Sequence, residues 1–164
     1  MENYIVINGK KAELTEEQLK ALGIATEKKN PFKRQSSKTP IYYISNKGQI
    51  EIGVELKDFH CNMLYDVANY CTDRNLLQQR AWHETLNRLL WRYSMEHDGD
   101  KINWSDYNKW KYIICYNGES HRFEVDMYRH LHFNSVWFYT KEIAESAIEE
   151  IVQPFMKEHP DFIW

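Results

Sequence analysis

Residue types that could hold an anionic or aromatic ligand cluster between positions 122 and 137. This segment contains Arg122, Tyr128, Arg129, His130, His132 and Trp137. An arginine guanidinium can fork onto a phosphate while an aromatic ring stacks on a base. The same residue types dominate the energetic centres of protein–protein interfaces. The segment therefore predicts a binding surface for a nucleotide-type ligand or for a protein. The alternative is a plain connection between strands, with half of its aromatic side chains buried.

A second candidate surface lies on a long helix predicted over residues 72–95. Glu84, Arg88 and Arg92 recur at i, i+4 and i+8, which places them on one face, away from the apolar positions of the helix. Pairing of this kind is typical of a solvent-facing stripe. Arg88 and Arg92 are therefore predicted as binding residues of second rank.

No complete catalytic or metal-binding motif occurs in the chain. The stretch from His83 to Asn87 is close to the helical zinc motif, but Asn87 stands where that motif needs its second histidine. Asp98 and Asp100 fit an Asp- and Gly-rich turn better than a calcium loop, which needs ligands over a longer series. We therefore predict no catalytic residue, no metal site and no cofactor. A metal-dependent hydrolase that uses scattered His and Asp residues stays open as an alternative.

Composition narrows the class of protein. The formal net charge of −3 argues against direct nucleic-acid binding, because such proteins carry a basic footprint. Three cysteines without a C-x-x-C pair argue against a disulfide framework. The mean hydropathy of −0.70 and the absence of a long apolar run argue against a membrane span. A soluble protein with a large aromatic core is expected.

The elements that must position these residues follow a repeated pattern. Residues 41–97 and 104–164 each predict a hairpin, an aromatic approach strand and a helix that begins at a threonine cap. Residues 1–24 predict a small ββα unit with a capping box from Thr15 to Gln18, and residues 25–40 predict a basic linker. The expected fold class is α+β, with the two hairpin-plus-helix repeats packed together as one domain, 41–164.

Several local expectations follow from the same patterns. We predict that residues 53–68 are irregular, that Thr72 caps the long helix, and that Gly99 adopts a left-handed conformation after it. Residues 136–139 are a third strand candidate in the second repeat. Pro154 is expected to kink or end the last helix, and the apolar tail 159–164 is expected to dock.

Five stretches of the chain carry a resemblance to known proteins: Ile7–Lys10, Glu13–Leu22, Asn30–Phe32, Asn69–Asp73 and Phe138–Glu145. In these stretches the chain resembles a group of small accessory proteins encoded by phages and prophages of Gram-positive bacteria. These stretches are caps and strands, so the resemblance assigns no role to any residue. It implies a phage gene product that acts in the bacterial cytoplasm, and proteins in this setting are often inhibitors of host defence systems.

Three functional hypotheses result. The first is a non-enzymatic phage protein, similar in role to anti-CRISPR proteins, that binds and inhibits a nuclease or another effector of bacterial antiviral defence. The second is a sponge that sequesters a nucleotide-type immune signal on the segment 122–137. The third is the metal-dependent hydrolase. Self-association is compatible with all three, because aromatic-rich sheets often leave an apolar face to cover.

Overall fold

The protein has an α+β fold in which short antiparallel hairpins alternate with helices. The computed structural model describes residues 4–7, 9–23, 30–130, 132 and 135–164. These residues form two compact units, Met1–Arg34 and Gln35–Trp164. Part of the predicted basic linker, residues 25–29, lies outside the described residues. Within the described part, no helix combines the length and the apolar character that crossing a membrane requires.

The first unit is a hairpin followed by a short helix. Strands β1 (Tyr4–Ile7) and β2 (Lys10–Glu13) pair antiparallel, and helix α1 spans Glu16–Ala21. The predicted capping box is confirmed, because the Thr15 amide donates to Gln18 Oε1 at 2.9 Å and the Gln18 amide donates to Thr15 Oγ1 at 3.3 Å. The expected ββα unit is therefore present.

The first repeat begins the second unit. Strand β3 (Pro40–Ile44) pairs antiparallel with β4 (Ile50–Val54), and helices α2 (Phe59–Asp66) and α3 (Arg74–Glu96) follow. The predicted irregularity of residues 53–68 is wrong. The Asp58 carboxylate caps α2 by accepting the Cys61 amide at 2.8 Å, and Cys61 and Leu64 bury the inner face of this helix.

The second repeat also consists of a hairpin followed by helical segments. Strands β5 (Lys111–Asn117) and β6 (Arg122–Tyr128) pair antiparallel, and the chain then enters α4 (Lys141–Ala147), a π-helical turn (Ile148–Val152) and α5 (Gln153–Glu158). Pro154 lies in the first turn of α5, directly after the π-helical turn. Because proline has no amide hydrogen and clashes with the preceding turn, a local change of helix type accommodates it without ending the helix.

One contact is common to both repeats. In each, the inner strand of the hairpin exchanges two backbone hydrogen bonds with the residue that leads to the next helix. Tyr42 pairs in this way with Cys71 at 2.7 and 3.0 Å, and Tyr112 pairs with Phe138 at 3.3 and 2.9 Å. The third strand candidate at 136–139 therefore shrinks to a single bridge at Phe138.

The caps of the two long helical segments differ from the expectation at one position. Thr140 caps α4 as predicted, with its hydroxyl accepting the Ile143 amide at 3.3 Å. The cap of α3 is Asp73 rather than Thr72, and its carboxylate accepts the Leu76 amide at 3.0 Å. Aspartate and threonine both serve this purpose, and the aspartate one residue further along the chain takes it here.

The turn after α3 also departs from the expectation. Asp98, with a φ of 65°, takes the left-handed conformation that was predicted for Gly99. Gly99 is needed for a different reason. A Cβ atom at this position would lie 2.6 Å from the Ser94 carbonyl oxygen, so only glycine lets the chain pass this close to the end of α3.

Helix α3 holds the second unit together, because it contributes to two separate parts of the core. Its first half packs Leu77 and Ala81 against the β3–β4 hairpin, and its second half packs Leu86 and Leu90 into the largest cluster. That cluster also contains Phe138, Ala144, Ala147, Val152, Phe155 and Phe162. A smaller cluster lies between α2 and the other face of the β3–β4 hairpin.

The tail that follows α5 docks, as predicted. Phe162 is 4% exposed within the largest core cluster. The side-chain amide of Gln79 on α3 donates to the Asp161 carbonyl at 2.6 Å and accepts the Ile163 amide at 2.9 Å. One glutamine thus satisfies backbone groups on both sides of Phe162, in the manner of a neighbouring strand.

Candidate functional site

The structure separates Arg122 from most of the residues with which it was grouped. Arg122 begins β6 and Tyr128 ends it. At about 3.4 Å per residue, the two lie roughly 20 Å apart along the strand. Arg122 therefore lies near the β5–β6 turn, whereas Tyr128 and Arg129 lie at the opposite end of the hairpin.

Three of the predicted residues form a row of rings at that opposite end. The Tyr128 and His132 ring centroids lie 4.2 Å apart, and those of His132 and Trp137 lie 6.0 Å apart. The Tyr128 hydroxyl donates to Asp126 Oδ2 at 2.7 Å, and this bond to a carboxylate raises the pKa of Tyr128 above its ordinary value. Trp137 is 5% exposed, so it packs into the interior, whereas His132 lies at the surface.

Arg129 acquires a partner that was not predicted. Its guanidinium carbon lies 4.3 Å from the centroid of the Trp110 ring, which is the geometry of a cation–π contact. The register of the hairpin explains this contact. Lys111 pairs with Tyr128, so the residue before β5 and the residue after β6 must be neighbours. His130 follows Arg129 and is exposed.

Trp110 belongs to a connecting loop, residues 103–110, that presents three aromatic side chains to solvent. Trp104 is 41% exposed, Tyr107 is 65% exposed and Trp110 is 44% exposed. None of these three residues was predicted as a binding residue from the sequence. Their spacing of three residues could have drawn attention to them, but exposure of a tryptophan cannot be inferred from spacing alone because most tryptophans are largely buried.

The loop is held in one conformation by an interior lysine. Lys111 is 3% exposed, and its ammonium group donates to the Asp106 carbonyl at 2.9 Å and to the Lys109 carbonyl at 3.4 Å. Two side-chain turns add to this. Asn103 Oδ1 accepts the Ser105 amide at 3.0 Å, and Asp106 Oδ1 accepts the Asn108 amide at 3.0 Å.

A cleft of about 560 Å³ lies beside this loop. Its lining includes Lys101, Lys109, Trp110, Lys111, Tyr139 and Glu142, with Ile102, Tyr112 and Phe138 among the apolar residues. Three lysines against one glutamate give the lining a positive charge. We define the Trp110 surface as Trp104, Tyr107, Lys109, Trp110 and Arg129. It combines cations, aromatic faces and an adjoining concavity.

Charged groups at the rim of the cleft are fixed in their ionised forms. The Asp98 carboxylate, 2.9 Å from the Lys101 ammonium, raises the pKa of Lys101 above its ordinary value. The Glu142 carboxylate bonds to its own backbone amide and to the Thr140 hydroxyl, and these bonds lower the pKa of Glu142. Lys101 and Glu142 thus keep their opposite charges around neutral pH.

Arg88 and Arg92 lie elsewhere, on α3. Arg88 lines a different cleft of about 410 Å³, together with Arg80, Glu84, Asn69 and residues 44–46 of the first hairpin. Glu84 pairs with Arg80 at 2.8 Å and with Arg88 at 3.5 Å, so its carboxylate offsets part of the positive charge there. Arg92 is exposed one turn further along α3 and does not line this cleft.

The groups that could act as nucleophiles or metal ligands do not assemble around either cleft. Burial is the largest cause that raises the pKa of each cysteine thiol, Cys61, Cys71 and Cys115, whereas an activated thiol has a lowered pKa. Within the described residues, no group of three or more His, Cys, Asp and Glu side chains is placed to hold a metal ion. These residues give the hydrolase hypothesis no support.

Comparisons of the chain with models of known protein families, with curated proteins and with solved structures find no match.

Proposed function

We propose that this protein is a phage accessory protein that binds a bacterial protein through the Trp110 surface and inhibits it without catalysis. The partner is a component of antiviral defence, a nuclease or another effector, in the host bacterial cytoplasm. The observation that carries the binding role is the exposure of Trp104, Tyr107 and Trp110 on one fixed loop. The phage setting and the class of partner come from the resemblance of the sequence.

The residue types of the Trp110 surface favour a protein partner. Tryptophan, tyrosine and arginine are the residues most enriched among interface hot spots. Arg129 already lies over the Trp110 ring, so a partner that covers both would bury a cation–π pair, which is stronger when it is desolvated. Lys109 adds a positive charge at the edge that an acidic group of the partner could meet.

The fixed conformation of the loop supports the same role. Binding normally costs entropy when a loop and its side chains must be ordered. Here Lys111 and the turns at Asn103 and Asp106 order the backbone before any partner arrives. A pre-ordered aromatic loop therefore keeps more of its contact energy as affinity.

The second candidate, a sponge for a nucleotide-type signal, is favoured by the cleft of about 560 Å³, which falls in the usual range for small-molecule sites. Lys101 and Lys109 could meet a phosphate, and Trp110 or Tyr139 could stack on a base. This candidate places the ligand beside the loop rather than across it. The two proposals therefore differ in which residues are covered.

A paired substitution tests the protein-binding proposal. W110A/R129A removes the cation–π pair from the surface, and W91A removes a tryptophan on α3 with nearly equal exposure, 47% against 44%. We expect wild type and W91A to capture one stoichiometric partner from host lysate and to protect phage in a defence-positive strain. W110A/R129A is expected to lose both properties while its circular dichroism spectrum stays unchanged.

Two results would contradict the proposal. One is the absence of a stoichiometric partner together with no protection by the wild type. The other is equal protection by W110A/R129A and wild type. Calorimetry against cyclic nucleotides and ADP-ribose derivatives tests the sponge candidate. Absence of binding to every compound would exclude it, whereas binding that K101A/K109A abolishes would support it.

A further inference from the structure

The outer edge of β4 is an unpaired strand edge. Among the described residues, β3 is the only strand that pairs with β4. Tyr42, the register partner of Ile52, directs both of its backbone groups to Cys71 on the other side of β3. Tyr42 and Ile52 are therefore a non-hydrogen-bonded pair, and the amide and carbonyl of Ile52 point away from the sheet.

The neighbouring positions of β4 follow the same alternation. The Ile44 amide donates to Asn69 Oδ1 and the Ile44 carbonyl accepts from Asn69 Nδ2, both at 2.7 Å. Because both backbone groups of Ile44 face Asn69, the amide and carbonyl of its register partner Ile50 also point outward. The Glu55 amide donates to the Thr39 carbonyl, and the Glu55 carbonyl accepts the Lys38 amide. Both backbone groups of Glu55 therefore point inward, and those of the preceding residue, Val54, point outward. The Val54 carbonyl also accepts the Cys61 thiol at 3.5 Å, a long contact that leaves the second lone pair of the oxygen available.

Apart from the contact of Val54 with Cys61 on α2, this edge lacks, among the described residues, the features that usually protect one. Ile52 is 67% exposed and Val54 is 48% exposed, and Leu56 and Phe59 beyond the strand are 59% and 81% exposed. Natural edge strands are usually guarded by lysine, proline, a bulge or a covering segment. Within β4 the sole charged side chain is Glu51, and its carboxylate accepts the Tyr43 hydroxyl at 2.8 Å.

The sequence of β4 is complementary to itself. An antiparallel pair of two β4 strands, related by a two-fold axis at Ile52, sets Ile52 opposite its own copy. It sets Ile50 opposite Val54 and Glu51 opposite Gly53. Apolar side chains meet apolar side chains, and each carboxylate faces a glycine instead of the other carboxylate. The outward amides and carbonyls of Ile50, Ile52 and Val54 are the groups that this register joins.

The outer edge of β6 provides an internal contrast. By the same alternation, the outward backbone groups of β6 are those of Phe123, Val125 and Met127. An antiparallel pair of two β6 strands with a two-fold axis at Val125 would set Glu124 opposite Asp126. Like charges directly opposite are unfavourable. Asp126 Oδ1 also accepts the Met127 amide at 2.7 Å, so one of the edge donors is already satisfied.

We propose that the protein forms a two-fold symmetric homodimer by antiparallel pairing of β4 with β4 of a second copy. The interface continues the β3–β4 hairpin into a four-stranded sheet, and Leu56 and Phe59 extend its apolar area. The proposal is independent of the Trp110 surface, which lies on the second repeat. A two-fold interface of this kind closes on itself and leaves no further edge of β4 exposed.

Charge exchange at position 52 tests both the dimer and its register. I52K places two lysines opposite each other, and I52E places two glutamates opposite each other. Sedimentation velocity of the full chain is expected to show a concentration-dependent dimer for wild type and monomers for each variant alone. An equimolar mixture of I52K and I52E is expected to form a dimer again, because position 52 faces its own copy.

M127K is the matched control, since Met127 is 50% exposed on the edge of β6. It is expected to dimerise like wild type. A wild type that stays monomeric at every concentration would overturn the proposal, and so would unchanged dimerisation of I52K. A dimer that I52K and I52E each abolish but their mixture does not restore would overturn the two-fold register at Ile52. Ile52 is largely exposed, so these substitutions leave the fold intact, which circular dichroism verifies.

Discussion

The two hairpin-plus-helix repeats have the same scaffold but offer different surfaces. Tyr42 and Tyr112 make the same bridge to the residue that leads into the next helix, at Cys71 and at Phe138. The first repeat leaves an apolar strand edge open, whereas the second has acidic residues on the corresponding edge. Only the second carries the exposed aromatic loop at its base.

This difference shows which residues of a repeat the fold requires and which can differ between the two copies. Backbone pairing at the bridge and a helix cap are present in both copies, although the side chains that provide them differ. Ile52 and Val54 on the edge of β4, and the aromatic side chains of the loop 103–110, are exposed and pack into none of the core clusters. Those are the positions to which the homodimer and the Trp110 surface are assigned.

The largest expected effect on stability concerns the residues that form the backbone bridge in each repeat. Phe138 and Cys71 occupy equivalent positions, and each is 0% exposed. F138A is expected to lower the free energy of unfolding by about 3–5 kcal/mol, because it leaves a cavity in the largest core cluster. C71A removes a single sulfur atom and is expected to cost about 1 kcal/mol. Urea denaturation followed by tryptophan fluorescence measures both.

Equal losses for F138A and C71A would contradict the larger contribution expected from the largest core cluster, to which Phe138 belongs. If F138A does not fold, F138L provides the smaller step. It is expected to retain the fold and still cost more than C71A.

A smaller effect concerns the entry to each hairpin. Lys111 begins β5 and its ammonium group holds the aromatic loop, whereas Pro40 begins β3 without such a role. K111M removes the charged donor of the Asp106 and Lys109 carbonyls and is expected to cost about 1–3 kcal/mol. Hydrogen exchange over residues 103–110 should accelerate, and capture of the partner should weaken.

K47M, an exposed lysine in the turn of the first hairpin, is the control for K111M. It should change neither exchange in the loop nor capture of the partner. Faster exchange without weaker capture would mean that loop order does not contribute to binding.

The smallest effect depends on pH and separates the two kinds of helix cap. Hydrogen bonds from Cys61 lower the pKa of Asp58, so this carboxylate stabilises α2 above its unfolded pKa of about 4. The contribution is lost as the pH falls through the lower folded value. Protection of the Cys61 amide from hydrogen exchange should therefore decrease in acid, whereas that of Ile143, bonded to the Thr140 hydroxyl, should decrease less.

D58N is the matched variant for this measurement, because asparagine caps a helix about as well as aspartate but does not titrate. In D58N, acid should reduce the protection of the Cys61 amide from hydrogen exchange no more than it reduces the protection of other amides. An equal acid response in D58N and wild type would remove Asp58 as the cause.

Much of the fold was predictable because its signals are local. The α+β class, the three described hairpins, the capping box of Thr15 and Gln18 and the cap at Thr140 depend on residues within a few positions of one another. Helix α2 was missed because only Cys61 and Leu64 are buried along it, which leaves too weak an apolar period. The Asp58 cap was the available signal.

The candidate surface was less predictable because it depends on contacts between distant residues. Arg129 was selected for its residue type, but Trp110 is brought to it by the β5–β6 register, nineteen residues away along the chain. Extending the predicted hairpin by one pair would have found this contact. The burial of Lys111 could not be inferred, since the carbonyls that satisfy its ammonium group become neighbours only after the loop folds.

The attachment of the tail to α3 has a consequence for the order of events on the ribosome. Gln79 and Asp161 are separated by 82 residues, and Phe162 completes the core that α3 begins. At about 5–20 residues per second, translation takes roughly 4 to 16 s to cover that distance. During this interval α3 exists without its last packing partner. The nascent chain therefore exposes part of its core throughout this interval, and native packing can be completed only after residue 162 has left the exit tunnel.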